Sequence, residues 1–253
     1  MILVAVARLP ARPEARAEIA PALGLTLADV NHRLAGTLPR VLLSEPSRDR
    51  AEQAALALED AGFLVLTLDP ALVPDDEQRV LARRIAFAPG LLRITDESGR
   101  EHLCPARSIR LIQRGARLES TTKKVTTSER HIDVKKALLT GGLLLTKKVD
   151  RTVVKTTENQ DVFILIERND GEPDIIAYEK RLDHTALGAE MVPSSRANFD
   201  RAFAKLKELA KGAPVDERTL TPGFVRGLPT TAADPVDLAL ALVTLARRKE
   251  AGG

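Results

Sequence analysis

The chain has 253 residues, of which 44% are hydrophobic and 29% charged, and its formal net charge is +3. At about 100–200 residues per domain, this length predicts one or two domains. A single cysteine excludes a disulfide framework and a multi-thiolate zinc site, and 3% aromatic residues without tryptophan argue against a stacking surface for single-stranded nucleic acid. The longest strongly apolar run, Ala137–Thr146, is too short for a transmembrane helix, and the first residues lack a basic leader, so we expect a cytoplasmic protein.

The first 72 residues alternate between strand and helix patterns. A β-branched apolar run at Ile2–Ala7 predicts a buried strand. Thr26, with Asp29 three residues later, predicts a capped helix, and Ser47 predicts the start of another helix that Gly62 ends. The predicted order is strand, helix, helix, strand, helix, strand, over Ile2–Ala7, Pro13–Ala20, Thr26–Leu34, Arg40–Leu43, Asp49–Asp60 and Phe63–Leu68.

Gly24–Leu68, read as GLTLADVNHRLAGTLPRVLLSEPSRDRAEQAALALEDAGFLVLTL, resembles the C-terminal domain of the bacterial ribosomal stalk protein. The shared features are a Gly-Leu-x-Leu helix start, a Leu-x-Gly-x-x-Pro joint and a helix–Gly–strand ending. The resemblance implies a compact α/β module of the kind that also serves as the Clp protease adaptor. The stalk family engages translational GTPases through lysines, but the aligned positions here are Ala28 and Asn31. A module that only packs domains together is the alternative.

Beyond a predicted linker at Asp69–Gln78, short runs with strand character are separated by turn signals. About eight such strands predict a closed or nearly closed antiparallel sheet. A helix at Arg196–Lys211 follows, with Phe199, Phe203 and Leu206 at helical spacing. A small barrel capped by one amphipathic helix resembles the pleckstrin-homology-like superfold in architecture. The strand-like runs are Ile85–Phe87, Leu91–Thr95, Arg100–Leu103, Ile109–Gln113, Ala116–Ser120, Lys124–Thr127, Arg151–Lys155, Val162–Glu167 and Ile175–Tyr178.

These patterns predict an α+β protein in three parts: a stalk-like domain at 1–72, a pleckstrin-homology-like β domain with a capping helix at 80–212, and a loop with a terminal helix at 213–253. The terminal helix begins at Asp234-Pro235 and carries an apolar stripe of Leu238, Leu242 and Leu245. We expect this helix either to fold back onto a domain or to bind a partner.

One segment stands out by its charge. Arg117–Lys155 contains ten Lys or Arg and four Asp or Glu, which is a local net charge of +6. If a meander gathers its lysine pairs on one face, that face would attract an anionic membrane surface, a nucleic acid or an acidic protein. Lysines that only solvate the edges of a sheet are the alternative. Three Lys-Lys pairs recur every twelve residues, at Lys123, Lys124, Lys135, Lys136, Lys147 and Lys148.

Catalytic signals are sparse. His102 and Cys104 could combine with His131 and Asp133 in a metal site, but no spacing rule brings them together. Asp183-His184 has the residue types of an orienter and a base, without an identifiable nucleophile. We therefore predict a non-enzymatic binding or adaptor protein without cofactor or metal, whose main partner is another protein. The alternative is a hydrolase or metal-dependent enzyme with a site at the domain interface, marked by convergent titratable groups.

Overall fold

The computed structural model describes residues 1–132 and 146–252, and it describes their side chains except at 118–132, 146–159 and 222. The fold is α+β, as predicted. Met1–Arg117 and Val162–Gly253 form one compact unit, and Leu118–Asp161 forms a second. The strands are β1 (Ile2–Arg8), β2 (Arg40–Glu45), β3 (Leu64–Leu68), β4 (Val80–Ala88), β5 (Leu91–Asp96), β6 (Glu101–Pro105), β7 (Ile109–Ile132), β8 (Thr146–Arg168), β9 (Ile175–Tyr178) and β10 (Val215–Asp216). The helices are α1 (Ala15–Ala22), α2 (Leu27–Arg33), α3 (Arg48–Asp60), α4 (Ser195–Leu209), α5 (Pro222–Arg226) and α6 (Pro235–Gly252).

The first 68 residues have the predicted order of strands and helices. Their strands form an antiparallel three-stranded sheet in the order β2-β1-β3. Thr26 and Asp29 form the capping box that starts α2, and the Ser47 side chain accepts the amide of Arg50 at the start of α3. Gly62, with φ of 89°, ends α3 in a conformation that glycine adopts without strain. Local sequence signals therefore fix these boundaries.

The central strand β1 is buried on both faces of this sheet. Val4 and Val6 point toward α1, α2 and α3, whereas Leu3 and Ala5 point toward α6. Because strand side chains alternate between faces, a continuous apolar run is what a strand covered on both sides requires. The terminal helix α6 therefore folds back onto the protein, which is the first of the two predicted alternatives.

The second sheet has seven strands in the order β10-β7-β8-β9-β4-β5-β6. The pairs β4–β5, β5–β6 and β8–β9 are antiparallel, as predicted, but β4–β9 and β10–β7 are parallel. The fully antiparallel prediction is wrong at those two pairs because they join strands that lie far apart in the chain. Their pairing depends on the tertiary fold, not on a local turn.

Five of the predicted short strands merge into the two long strands β7 and β8. After Ala116, β7 contains no glycine or proline, and β8 contains none at all. Without these residues the backbone has no local signal to end a strand. Gly115 in β7 reflects a close approach, because a Cβ there would lie 2.6 Å from the Thr219 hydroxyl and would overlap the Phe163 ring.

Helix α4 covers the core of the second sheet, as predicted. Phe199, Phe203 and Leu206 are buried among apolar residues of β4 to β9. The guanidinium of Arg114 and the ammonium of Lys207 each lie 4.8 Å from the Phe203 ring centroid. The helix thus buries one stripe and exposes the opposite face.

Helix α6 is buried on more than one side. Leu238 and Leu242 pack against the first sheet, whereas Val236 and Leu240 pack against Phe163 of the second sheet. A third side contacts Phe224 of α5. The predicted stripe captured only the side that faces the first sheet. The predicted boundaries at 72 and 212 stay predictions, but the first and last parts of the chain share this core.

Candidate functional site

The predicted basic face falls entirely on residues whose side chains are not described. Lys123-Lys124 lies in β7 and Lys147-Lys148 lies in β8, and these strands are hydrogen-bonded neighbours. Lys135-Lys136 lies outside the described residues. The common face of these lysines therefore stays a prediction.

The residues of the hypothetical metal site have other partners. His102 Nε2 lies 2.7 Å from Asp96 Oδ2, and Cys104 is buried with its Sγ 3.7 Å from Ser108 Oγ. Hydrogen bonds from Ser98 and His102 hold the pKa of Asp96 below its usual range. His131's side chain and Asp133 lie outside what is described. No cluster of three metal-ligating side chains occurs within the described part of the chain.

The Asp183-His184 pair meets a hydroxyl that the sequence did not identify. His184 Nε2 lies 3.3 Å from Oγ of Ser195, the first residue of α4. However, the Asp183 carboxylate accepts hydrogen bonds from the backbone and hydroxyl of Thr185, and His184 Nδ1 is buried with no hydrogen-bond partner among the residues that the structure describes. Burial also lowers the pKa of His184. A serine hydrolase needs its histidine oriented through Nδ1, and that contact is missing from this arrangement.

A concave feature lies beside β3, and we call it the edge groove. It has a volume of about 590 Å³. Strand β3 forms its floor, α3 forms one wall and α6 forms the other. Leu56 of α3 is 59% exposed, although it is a large apolar side chain. The residues that line the groove are Glu52, Ala55, Leu56, Glu59, Val65, Leu66, Thr67, Leu245, Arg248 and Lys249.

The groove continues past the end of β3. A second hollow of about 260 Å³ shares Leu245 and Arg248 with the edge groove. Leu72, which is 73% exposed, lies in this second hollow. The second hollow lies where Leu68 ends β3 and is lined by the segment that follows, by α6 and by Leu165 of β8, so the two hollows adjoin along α6.

Within the described residues no strand pairs with the outer side of β3, which is an outer strand of the β2-β1-β3 sheet, and this side faces the groove. The carbonyl of Val65 points outward, since it accepts a hydrogen bond of 2.8 Å from Lys249 Nζ. Backbone groups two residues apart on a strand point the same way. The amide and carbonyl of Thr67 therefore also point into the groove.

The two walls carry opposite charges. Glu52 and Glu59 lie on α3, and Arg248 and Lys249 lie on α6. Helix α3 covers one face of the sheet and α6 covers the other. At one end the Lys249 ammonium pairs with the Glu59 carboxylate across the groove, and both side chains are about half exposed. A strand added at this edge would therefore have an acidic wall on one face and a basic wall on the other.

Buried polar contacts hold α6 in place as a wall. Near its start, the buried Asp237 carboxylate pairs with the guanidinium groups of Arg79 and Arg117. In its middle, the Thr244 hydroxyl donates to the carboxylate of Glu167, which is 1% exposed. Because unpaired buried charges are costly, these contacts favour one position of the helix.

A third polar contact lies near the end of α6. The Asp216 carboxylate accepts hydrogen bonds from Arg218 Nη2 at 2.6 Å and from Arg247 Nε at 2.8 Å. Burial alone would raise the pKa of Asp216, but the hydrogen bonds from Arg218 and Arg247 outweigh it, and the pKa is lowered. Arg218 also donates to the carbonyl of Leu38, so the cluster connects α6 with the chain that enters β2.

The sequence interpretation missed the edge groove. Whether a strand lies at an edge depends on the pairing of distant segments, which the residues of β3 do not reveal. One signal was present: Leu56 lies outside the apolar face of α3 that contains Ala51, Ala55 and Leu58. A single exposed leucine is common on protein surfaces, so this signal alone does not identify a groove.

Comparison with known proteins gives no assignment: no family model, curated protein or solved structure matches the chain. Within the described ranges, no helix is both long and apolar enough to cross a bilayer. The function is therefore argued from the geometry of the described residues.

Proposed function

We propose that this protein is a non-enzymatic, cytoplasmic adaptor that binds an extended segment of a partner protein in the edge groove. The observation that carries the proposal is the outer side of β3, which pairs with no strand of the described part of the chain and is open between two walls of opposite charge. Exposed strand edges are sites of pairing with another chain, and proteins normally cover or blunt them. Addition of a peptide strand to such an edge is a common mode of recognition.

The character of the walls supports binding of a chain over catalysis. The groove combines the exposed Leu56 with acidic groups on one face of the sheet and basic groups on the other, and Glu59 and Lys249 pair across it. The convergent group of acid, base and nucleophile that the enzymatic alternative requires does not occur among the lining residues. The sequence resemblance of Gly24–Leu68 to an adaptor-like module points in the same direction.

The test uses the full chain with a photoreactive amino acid at position 56, irradiated in an extract of the native host. We expect a crosslinked partner protein that disappears when Thr67→Pro is added and persists with Thr67→Val. Proline removes the outward amide but leaves the pairing with β1 intact, because edge strands tolerate proline whose nitrogen faces outward. Absence of a crosslinked partner, or crosslinking that Thr67→Pro leaves unchanged, would contradict the proposal.

A second binding surface is proposed for the lysine-rich segment Arg117–Lys155, whose local net charge is +6 (ten basic minus four acidic residues). Its partner is an anionic membrane surface, for which each nearby lysine contributes about 1 kcal/mol. Co-sedimentation with anionic liposomes should decrease at high salt and when the three Lys-Lys pairs become Gln-Gln. Binding that is insensitive to both changes would contradict this second role, and a mobility shift with mixed nucleic acid would assign the lysines to a different partner.

A further inference from the structure

The charges beside β3 indicate which residues a bound peptide strand should carry on each of its two faces. We infer that the edge groove selects a peptide strand with basic residues on alternate positions facing α3, an apolar residue between them, and acidic residues facing α6. This inference rests on the proposed function and deepens it, because it names the chemistry of the partner segment.

The first step concerns which way the side chains of an added strand point. Successive side chains of a strand lie on opposite faces of its sheet. Val65 of β3 packs toward α3, whereas Leu66 packs toward α6. A strand that pairs with β3 continues the same sheet, so its alternate residues face α3 and the others face α6.

The second step concerns spacing on the α3 wall. Glu52, Leu56 and Glu59 form one stripe along the helix, and Glu52 and Glu59 are about 10 Å apart at a rise of about 1.5 Å per residue. Residues one and five of a strand are about 13 Å apart. One lysine at these positions reaches Glu52, the other reaches Glu59 by displacing the ammonium of Lys249, and the third residue faces Leu56.

The third step concerns the α6 wall. Arg248 and Lys249 lie beside the half-buried Leu245 there. Residues two and four of the same strand face this wall, where acidic side chains would be attracted. The pattern is therefore Lys-Glu-Leu-Glu-Lys, which reads the same in both directions and so fits a parallel or an antiparallel strand.

A second copy of this chain fits the edge less well. Two copies joined through β3 in one continuous antiparallel sheet would be related by a two-fold axis perpendicular to the sheet. Each helix would then face its own copy, with Glu52 and Glu59 against glutamates and Arg248 against basic residues. Like charges in such positions oppose association. The walls favour a partner whose charges alternate.

The experiment measures the binding of fluorescent peptides to the full chain by anisotropy. One peptide has the core Lys-Glu-Leu-Glu-Lys between threonines, and the control has Glu-Lys-Leu-Lys-Glu, which has the same composition with the charges exchanged between faces. We expect the first peptide to bind at least about tenfold more tightly. Thr67→Pro should abolish this binding. Thr67→Val should preserve it, as should Glu14→Lys, because Glu14 is exposed and does not line the groove.

Charge reversal in the protein gives the decisive readout. Glu52→Lys should lower the affinity for the first peptide and raise the affinity for the control peptide, and Arg248→Glu should have the same two effects. Thermal unfolding of each variant verifies that the fold is intact. Equal affinity for the two peptides, or a preference that Glu52→Lys leaves unchanged, would overturn the inference. If the charge preference is absent but crosslinking at position 56 still depends on the Thr67 amide, only the charge rule is overturned and the proposed function stands. Dimers detected by sedimentation would instead show that the occupant of the groove is a second copy of the chain.

Discussion

The outer edges of the first sheet, at β2 and at β3, differ in how they are covered. At β2, the extra residue Leu42 interrupts the register with β1, and its carbonyl accepts a hydrogen bond of 2.7 Å from Arg33 of α2. The guanidinium of Arg40 packs between Gly36 and Gly227, so close that a Cβ at either position would overlap it. At β3, by contrast, the exposed Lys249 side chain donates to the outward carbonyl of Val65, and a groove remains open beside the strand.

This difference shows how one small sheet both prevents and permits pairing. A bulge, a neighbouring helix and inserted arginines close the β2 edge, and these are devices that proteins use against edge-to-edge association. The β3 sequence, Leu-Val-Leu-Thr-Leu, has no charge of its own to protect it. The protection comes from one exposed lysine that an incoming amide can replace. We therefore regard β3 as a docking edge and β2 as a structural one.

The largest loss of stability is expected from a substitution that lies at neither edge and should leave peptide binding at β3 unchanged. Phe203→Ala in α4 should lower the free energy of unfolding by about 3–5 kcal/mol, because it removes a buried aromatic ring from the core of the second sheet. Urea denaturation measures this loss. Peptide affinity at the edge groove should stay unchanged at temperatures where the variant is folded. A loss below about 1 kcal/mol would show that α4 is peripheral to that core.

A comparable loss is expected in α6, which covers one face of the first sheet. Leu242→Ala should cost about 2–5 kcal/mol, because Leu242 is fully buried. The matched control is Leu245→Ala on the same helix, where the side chain is only half-buried and lines the groove. We expect the control to lose less stability and more peptide affinity. The reverse ranking in urea denaturation would mean that α6 does not form the groove wall described.

The third effect is a pH-dependent loss of stability, and it concerns the Asp216 cluster that connects α6 with the chain entering β2. The folded pKa of Asp216 lies below its unfolded value, so its contribution is present above about pH 4 and is lost as the pH falls. Asp216→Asn should cost about 1.5–3 kcal/mol near neutral pH. The difference between the two proteins should shrink toward pH 3 in parallel denaturation series. A difference that is constant across this range would show that the carboxylate charge plays no part.

The smallest effects compare the two edges directly. Arg33→Ala should cost about 1–2 kcal/mol, because the Leu42 carbonyl loses a charged donor. Lys249→Ala should cost less than about 1 kcal/mol, because its pair with Glu59 is exposed. Thermal unfolding of both variants in the same buffer gives the comparison. Equal losses of stability would contradict the distinction between a structural edge at β2 and a docking edge at β3.

The sequence predicted well wherever local signals decide the structure. The caps at Thr26 and Ser47 and the stop at Gly62 gave the order of elements in the first 68 residues, and the spacing of Phe199 and Phe203 gave the buried face of α4. These features depend on residues only a few positions apart, so a single sequence contains them.

Long-range pairing decided the rest. The parallel pair of Val80 with Ile175 joins residues from distant parts of the chain, and nothing local announces it. The polar groups around Asp237 and Asp216 likewise come together only in the folded protein. The edge groove has the same origin, because its two walls come from α3 and α6 at opposite ends of the chain. The residues of β3 alone therefore do not predict whether the outer side of this strand is paired.

The most direct test of the central claim, that β3 binds an added strand, is amide hydrogen exchange of the full chain measured by NMR. At saturating Lys-Glu-Leu-Glu-Lys peptide, exchange should slow at Val65 and Thr67, whose backbone groups face the groove, and should change little at Leu66, which pairs with Ala5 of β1. Thr67→Val should retain the effect. Unchanged exchange at Val65 and Thr67 with bound peptide, or equal slowing at Leu66, would contradict the account.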